Sequence, residues 1–579
     1  MKMAKKLICL TLVALLVLSL VACGKSTQQS SKESGKESEV ENKTENEQKE
    51  DSKDSGKQET GSQAGKEKWE PQSDLSKHVT ITLAAVQAQD GYDYTNGDGV
   101  AQYYSKKFNY TLEVTALTWS NWNERCRIWI NSGDMPDVLV FNFTQTNYPE
   151  AAGYVEQGLL YKLPDDWKSR WPNVARVFEV TGLGPQMEKQ FGGTYFLPRA
   201  RFYKNMINEP GEPVPDHWSL YMRKDWAKAV NFPIKSTYKV SEILDFARLI
   251  KEKDPGNVGN KLIPISADPH AAVLMFIQSN STHYNTFYKD PKDGQYKWGG
   301  ASEDTLRGLK LMAQAYKEGL LDPDFITLKP EDSQAPFDTQ GVAACNFNQA
   351  PTAAIHPNFI NRFQANLGLD PFEHINMATV LGEDGYYHQR DLINFWGTIV
   401  FSPNIKKEVF ERYMDILDYN ATEEGRTTLF LGLKDVDWTY DQNGKIISLY
   451  DEKKEGRPLG GSNGKYPSLG YTLGAIVLFD DFAFNNPNHD PRCLEISRQL
   501  YKDRCEISTP ETFTKTNWDL YTFDSPNMKR AQFDYDTELC NLVTMPGDIE
   551  ENWKKWVDSK MPIIQPVLDE LNAKLGSKK

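Results

Sequence analysis

Short apolar segments alternate with amphipathic segments from residue 78 onwards, and this alternation constrains the fold more than any other feature of the sequence. The segment HVTITLAAV, residues 78–86, has the apolar and β-branched composition of a buried strand. GVAQYYSKKF, residues 99–108, has the pattern of a short helix, and YTLEVTAL, residues 110–117, predicts a second strand. Repeated strand and helix units predict an α/β fold with a largely parallel sheet.

A third unit follows the second strand. Ser120 is placed to cap a helix, and Trp122, Cys126 and Ile130 recur at helical spacing on one face. The sequence NSGDMPD then ends the helix, because its glycine adopts the left-handed conformation easily and its proline prevents continuation. The apolar segment VLVF, which begins at Val138, predicts a short strand that is covered on both faces.

The length of the chain requires more than one hydrophobic core. About 500 residues follow the polar N-terminal region, and a single core stops growing well below that size. The sequence therefore predicts at least two lobes.

The N-terminus predicts an export signal. Three lysines precede an uncharged apolar stretch, residues 7–20, which is too short to span a bilayer comfortably as a helix. The sequence LVAC that ends at Cys23 resembles a bacterial lipobox, in which the cysteine becomes the mature N-terminus and carries acyl chains. Residues 1–22 are therefore predicted to be a lipoprotein signal peptide, and Cys23 the lipidation site, palmitate included. The alternative is a cleaved secretory signal with an incidental cysteine.

Acyl chains on Cys23 would hold the protein at the extracellular face of the bacterial cell membrane, because each buried methylene contributes about 0.8 kcal/mol. Residues 23–75 are rich in Ser, Lys, Glu, Gln and Gly. Such a segment buries too little apolar surface to offset its ordering entropy, so it is predicted to be a disordered polar tether.

Charge and cysteine content exclude several classes of protein. The net charge of −14 argues against nucleic-acid binding, because no basic stripe is present to neutralise phosphates. Five cysteines follow Cys23 at wide spacing with no CxxC pair, which favours buried free thiols. A bridge between Cys493 and Cys505 is the alternative that the sequence leaves open.

Several segments together resemble the extracellular solute-binding proteins that serve ABC importers, in the branch that includes oligosaccharide binders. The resemblance covers most of the chain after residue 75. It rests on the order in which these segments occur: INSGDMPDVLVF, YVEQGLLYKLPD, FGGTYFLPR, LYMRKDWAKAVNFP, YKEGLLDPDF and DILDYNATEEGRTTLFLGLKDVDWTYDQNGK.

The resemblance implies a two-lobed, periplasmic-binding-protein-like fold of the class II type, with a ligand cleft between the lobes. It places the first part of lobe one at residues 76–199 and its return at 390–460. Lobe two is expected to take residues 200–389 and most of the C-terminal segment, residues 461–579. A monomer that delivers a carbohydrate to ABC permease subunits is expected.

Strand-end and crossing loops supply the candidate ligand-binding residues. A pyranose packs its C–H faces on aromatic rings and needs donors and acceptors for its hydroxyls, so a sugar cleft requires both kinds of side chain. Loops in a cleft between open α/β sheets follow the carboxyl ends of strands. The loops with this mixture carry the candidates Asp90, Tyr92, Trp119, Asn142, Arg201, Tyr203 and Trp396.

Other aromatic residues are predicted to pack within the lobes. Trp122 and Trp129 lie on the apolar face of their helix, and Trp226 is expected to pack its helix into lobe two. Arg223 and Asp225 beside it are interpreted as an ion pair. The same packing role is predicted for Trp438, Trp553 and Trp556.

No catalytic residue, metal or cofactor is expected. In relatives the loop corresponding to KDPGNVGNKLIPI resembles a calcium site, but only Asp254, Asn257 and Asn260 remain as oxygen donors here. A hard cation needs six to eight such ligands. Three functions stay open: a carbohydrate-binding lipoprotein of an importer, a peptide-binding or sensory lipoprotein on the same fold, and, less favoured, a surface glycoside hydrolase.

Overall fold

A computed structural model describes most of the chain after residue 68. The described residues are 69–86, 88–118, 121–141, 148–200, 218–349, 357–390, 395–461, 464–469, 487–488 and 490–576.

Residues 69–200 alternate between strands and helices as the sequence pattern predicts. The strands are β1 (Val79–Val86), β2 (Tyr110–Leu117), β3 (Val138–Phe141) and β4 (Leu197–Ala200). The helices are α1 (Gly99–Phe108), α2 (Trp122–Ser132), α3 (Tyr148–Glu156), α4 (Trp167–Arg170), α5 (Pro172–Val180) and α6 (Leu183–Phe191).

Residues 218–390 form the first part of the second lobe. The strands are β5 (Trp218–Arg223), β6 (Thr237–Lys239), β7 (Ile263–Ser266), β8 (Phe287–Lys289), β9 (Tyr296–Trp298), β10 (Ala343–Gln349), β11 (Ile375–Leu381) and β12 (Gln389–Arg390). The helices are α7 (Lys224–Ala229), α8 (Val240–Lys253), α9 (Pro269–Ala272), continued by a π-helical turn (Val273–Gln278), α10 (Glu303–Lys317), α11 (Pro330–Asp338), α12 (Pro357–Leu367) and α13 (Pro371–His374). Short 3₁₀ turns lie at Gly259–Lys261, Gly299–Ala301 and Phe325–Thr327.

The chain then returns to the first lobe and ends in a helical segment. The return contains β13 (Phe395–Phe401), α14 (Lys407–Asn420), α15 (Glu423–Leu431), β14 (Trp438–Tyr440), β15 (Ile446–Ser448) and α16 (Glu452–Glu455). The last segment contains α17 (Pro491–Glu506), β16 (Phe513–Thr514), α18 (Trp518–Tyr521), α19 (Pro526–Arg530), α20 (Tyr535–Thr544) and α21 (Ile549–Lys574).

Two five-stranded sheets organise the described residues. The first has the order β2-β1-β3-β13-β4, with β13 antiparallel to both of its neighbours and β1 parallel to β2 and β3. The second has the order β6-β11-β5-β10-β7, with β5 antiparallel to β10 and β11, while β10 is parallel to β7 and β11 to β6. Each sheet therefore has four strands that run in one direction and one strand that runs in the opposite direction.

Each sheet has its own hydrophobic core. One large cluster of buried side chains joins residues 79–200 to residues 399–469, and the other joins residues 220–380 to residues 520–571. Tyr521 of α18 belongs to the first cluster, whereas its neighbour Leu520 belongs to the second. The C-terminal segment therefore contacts both lobes at α18.

The first three units agree closely with the sequence pattern. β1 begins one residue later than predicted, and α1 and β2 have the predicted bounds. Helix α2 ends at Gly133 in the left-handed conformation, with φ 77°. Its N-cap residue is Asn121 rather than Ser120, which lies outside the described residues. The prediction that Ser120 caps the helix is corrected, because the helix starts only at Trp122.

Buried charges on α14 tie the N-terminal residues to lobe one. The carboxylate of Asp415 accepts backbone N–H groups from residues 72 and 73 at 2.9 and 2.8 Å. Asp418 accepts the Trp69 indole N–H at 3.1 Å, and Arg412 donates from Nε to the Ser73 hydroxyl at 2.8 Å. Residues 69–75, which the sequence pattern assigns to the tether, are therefore fixed to the first lobe.

No disulfide joins the cysteines that the structure describes. Cys126, Cys345, Cys493 and Cys540 are buried, and Cys505 is half-buried. Cys493 and Cys505 both lie on α17, where twelve residues of helical rise separate them by about 18 Å. A disulfide requires its Cα atoms within about 7 Å, so these two cysteines do not bridge.

The described helices include none that is both long and apolar enough to cross a membrane.

Candidate functional site

The strand directions bring several loops to one edge of the first sheet. β1, β2, β3 and β4 run in the same direction, so their carboxyl ends meet at this edge. The antiparallel β13 begins at the same edge, where Phe395 pairs with Ala200 and Thr398 with Phe141. Each candidate residue from the sequence lies at, or a few residues beyond, one of these strand ends.

Most of the candidate side chains are not described. Trp119, Asn142, Arg201 and Tyr203 lie outside the described residues, as does Cys23. Trp396 lies at the start of β13, where its backbone but not its side chain is described. Their contacts with a ligand remain predictions.

Asp90 and Tyr92 belong to the loop after β1. Asp90 is exposed, whereas Tyr92 is half-buried and donates its hydroxyl to Oδ2 of Asp98 at 2.8 Å. Burial and this hydrogen bond raise the pKa of Tyr92. Asp98 also caps α1 and accepts the backbone N–H of Ser468 at 3.0 Å. The Tyr92 hydroxyl is therefore bound within lobe one, and its ring packs edge to face on Tyr94 at a centroid distance of 4.9 Å.

A β-bulge lies where β13 starts. The register with β4 shifts between Phe395 and Thr398, and Gly397 has a φ of 69°. A Cβ at Gly397 would lie 3.2 Å from the carbonyl oxygen of Phe141, so glycine fits both the conformation and the space. Bulges change the direction in which neighbouring side chains point and occur often beside functional sites.

The corresponding edge of the second sheet carries an aromatic cluster. β5 begins there with Trp218, whose ring stacks on Phe347 of β10 at a centroid distance of 5.7 Å. His270 of α9 meets the same indole edge to face at 5.3 Å. Because Trp218 is half-buried, part of this cluster is accessible.

A cavity of about 460 Å³ adjoins this edge, within the range of ligand-binding pockets. Its walls come from α9, the segment before and including the start of β8, the end of β12, and the C-terminal segment. The lining residues are His270, Tyr284, Asn285, Thr286, Phe287, Arg390, Leu520, Tyr521, Phe523, Met528, Ala531, Gln532, Phe533, Asp534, Tyr535 and Asp536.

The cavity lies where the two lobes meet. Tyr521, on its wall, packs edge to face against Tyr148 of lobe one at 6.2 Å. On the neighbouring turn, the ring of Trp518 lies so close to Gly182 that a Cβ there would meet it at 2.8 Å. Only four residues separate Arg390 from Phe395, so covalent geometry keeps their Cα atoms within about 18 Å. The cavity is therefore near the edge of the first sheet.

His283, which directly precedes the cavity residue Tyr284, has a neutral ring. It stacks on Tyr288 at 4.9 Å with an interplanar angle of 5°, and its Nδ1 is buried without a partner among the described residues. Burial, with the nearby charges of Arg390 and His388, lowers its pKa to about 3. His283 therefore stays uncharged beside the cavity at neutral pH.

The aromatic residues assigned to packing are internal. Trp122 and Trp226 are buried, Trp129 packs against the first core, and Trp438, Trp553 and Trp556 are buried as predicted. Arg223 forms the predicted ion pair with Asp225, Nε to Oδ1 at 2.9 Å.

The loop of residues 254–260, which the sequence compares with a calcium site, is held by hydrogen bonds from its own backbone to Asp254. Asp254 accepts the N–H groups of Val258 and Gly259 at 2.9 and 2.7 Å, one on each carboxylate oxygen. The described residues contain no group of three or more His, Cys, Asp or Glu side chains placed to hold a metal ion.

Sequence reasoning missed Trp218, Arg390 and the cavity. Trp218 could have been found from its position, because it is the first strand residue after the crossing that carries Arg201 and Tyr203. The cavity gives no local signal, since its lining residues are spread along the chain from His270 to Asp536.

Comparison with known proteins identifies the fold. No protein-family model and no curated protein sequence matches the chain. Among solved structures, the alginate-binding protein AlgQ2, crystallised without calcium, is 18% identical with a TM-score of 0.60 over 86% of this chain and 98% of its own. An extracellular solute-binding protein from Bifidobacterium longum subsp. infantis is 15% identical with a TM-score of 0.60 over 86% and 98%.

The binding protein FusA of the S. pneumoniae ABC transporter, in complex with kestose, is 16% identical with a TM-score of 0.57 over 85% of this chain and 99% of its own. The chain therefore has the two-lobed α/β fold of extracellular solute-binding proteins. The fold predicted from the resemblance is confirmed.

His283 makes stability depend on pH in a defined direction. Its pKa is 6.5 in the unfolded chain and about 3 in the folded one, so below pH 6.5 protons bind the unfolded chain first and favour unfolding. Between pH 7.5 and 5.0 this ring should remove about 2 kcal/mol of unfolding free energy. Denaturant unfolding at both pH values measures the loss, which should shrink in His283→Gln and persist in the control His78→Gln, whose ring is exposed. An unchanged loss in His283→Gln would contradict the assignment.

Proposed function

We propose that this protein is a lipid-anchored solute-binding protein of the bacterial cell surface, which captures a carbohydrate longer than a monosaccharide and delivers it to the permease of an ABC importer. The observation that carries the proposal is the common edge of the first sheet. All seven candidate ligand-binding residues follow or begin strands that meet there. Two of the chain crossings leave from the same edge, after Ala200 and before Phe395.

The aromatic cluster of lobe two supports a sugar ligand. The half-buried Trp218 lies at the edge from which β5 starts and stacks on the buried Phe347, and the cavity beside them combines six aromatic rings with amide and charged groups. A pyranose needs this combination, because its C–H faces pack on rings while its hydroxyls require hydrogen-bond partners. Structurally similar proteins bind alginate and kestose, which favours the same class of ligand here.

Binding without chemistry is the proposed activity. A ligand that contacts both lobes binds the closed state more tightly than the open one, and this difference shifts the population toward closure. A peptide-binding or sensory role on the same fold is the second candidate, since fold alone does not determine the ligand.

Calorimetric titration with soluble glycans and peptides tests the ligand class. Loss of one stacked ring in Trp119→Ala or Trp396→Ala should cost about 1 to 3 kcal/mol, or roughly a five- to 150-fold loss of affinity. Tyr316→Ala, which removes a ring packed on Phe325 within lobe two, is the control and should bind normally. Thermal unfolding of each variant verifies that it is folded.

Two outcomes of this titration separate the alternatives. Binding of peptides but of no glycan would overturn the carbohydrate assignment. Normal glycan binding by both tryptophan variants would keep the ligand class and remove these two residues from the site.

The anchor rests on the LVAC sequence at Cys23. Cells grown with a labelled fatty acid should incorporate label into the wild-type protein, because the thiol of Cys23 is the predicted acylation site. Cys23→Ala should carry none, whereas Cys505→Ala, a control that removes a distant thiol, should be labelled normally. Label on Cys23→Ala, or none on the wild type, would refute the anchor.

A further inference from the structure

The cavity at the junction of the lobes contains a positive charge that no carboxylate among the described residues neutralises. Arg390 ends β12 and is half-buried at the cavity wall. Its Nη2 donates to Oδ1 of Asn285 at 2.7 Å, a neutral acceptor. No carboxylate among the described residues lies within ion-pair distance of the guanidinium, which leaves most of its N–H donors for another partner.

The carboxylates of the same cavity are engaged elsewhere. Asp536 pairs with Nδ1 of His270 at 2.8 Å. Asp534 is exposed to solvent, and its two oxygens accept the N–H and the hydroxyl of Thr537 at 3.1 and 2.7 Å as it caps α20. Each of these two carboxylates therefore has its own partner, and neither of them pairs with Arg390.

A desolvated cation without a counter-charge is costly unless a ligand supplies one. Burial lowers the pKa of Arg390, which the neighbouring Tyr284 and Tyr535 partly offset. The planar guanidinium matches a carboxylate or sulfate, to which it donates two parallel hydrogen bonds. His283 behind it is neutral and adds no second charge.

The other walls of the cavity match a sugar ring. Tyr284 and Tyr535 meet edge to face at 6.4 Å, and Phe533 lies against Tyr535 at 5.9 Å. Rings in these orientations present faces and edges to the C–H groups of a pyranose. The cavity therefore combines an aromatic enclosure with one anion-binding group.

We infer that the cavity binds an acidic sugar unit, whose carboxylate or sulfate is held by Arg390. The inference rests on the proposed glycan-binding function and specifies its ligand. Arg390 lies six residues before Trp396, so covalent geometry keeps their Cα atoms within about 22 Å. An oligosaccharide that stacks at the edge of the first sheet can therefore extend its acidic unit into this cavity.

Competitive capture tests the charge of the ligand. The purified protein is mixed with oligosaccharides from a broad set of polysaccharides, divided by anion exchange into neutral, carboxylated and sulfated fractions. The bound glycans are identified by mass spectrometry and their affinities measured by calorimetry. The wild-type protein should retain glycans from an acidic fraction, and the fraction in which they occur distinguishes carboxylate from sulfate.

Variants of Arg390 test whether its guanidinium binds the acidic group of the glycan. Arg390→Gln, which keeps a donor for Asn285, should bind the captured acidic glycan about 10- to 100-fold more weakly, because a charged hydrogen-bonded pair is lost. Arg390→Lys keeps the charge without the planar fork and should fall between the two. Arg307→Gln removes the same charge from an exposed arginine of α10, which pairs with Asp304 at 2.8 Å outside the cavity, and is the control that should bind as the wild type does. Thermal unfolding checks each variant.

The results separate this inference from the proposed function. Capture of neutral glycans alone would overturn the acidic ligand and leave carbohydrate binding intact. Unchanged affinity of Arg390→Gln, in a folded sample, would remove Arg390 from the site. Capture of no glycan from any fraction would overturn the proposed function and this inference with it.

Discussion

The structure depends on one strand in each sheet that is opposite in direction to the other four. In the first sheet this strand is β13, which enters from the second crossing, and in the second sheet it is β5, which enters from the first. An antiparallel strand starts at the edge where its parallel neighbours end. These two crossings therefore adjoin the loops that follow the strand ends of each sheet.

In the proposed function, this arrangement couples binding to movement. A ligand bound at the strand ends would contact residues that adjoin the crossings, and Arg390 and Trp218 each lie beside one crossing in the sequence. Helix α18 contacts both lobes, because Tyr521 packs in the core of lobe one and Leu520 packs in the core of lobe two. A ligand that bridges the two edges stabilises the state in which they approach.

Local sequence patterns predicted the helices and strands, whereas the candidate site depends on contacts between residues far apart in the sequence. β1, α1, β2 and β3 were predictable because apolar alternation and helix-ending residues act over a few positions. The common edge of the strand ends that precede the candidate residues followed from strand direction, but the hydrogen bond from the Tyr92 hydroxyl to Asp98 did not. Nor did the charge at Arg390, since the lack of a carboxylate partner among the described residues is a property of segments far apart in the sequence.

Closure of the lobes on a glycan is the central claim, and small-angle X-ray scattering measures it most directly. The soluble region, residues 69–579, is compared without ligand and at saturation with a glycan that it captures, with the glycan analysed afterwards. The account predicts a smaller radius of gyration at saturation and recovery of the glycan intact. An unchanged radius of gyration at full occupancy, or recovery of a cleaved glycan, would contradict it.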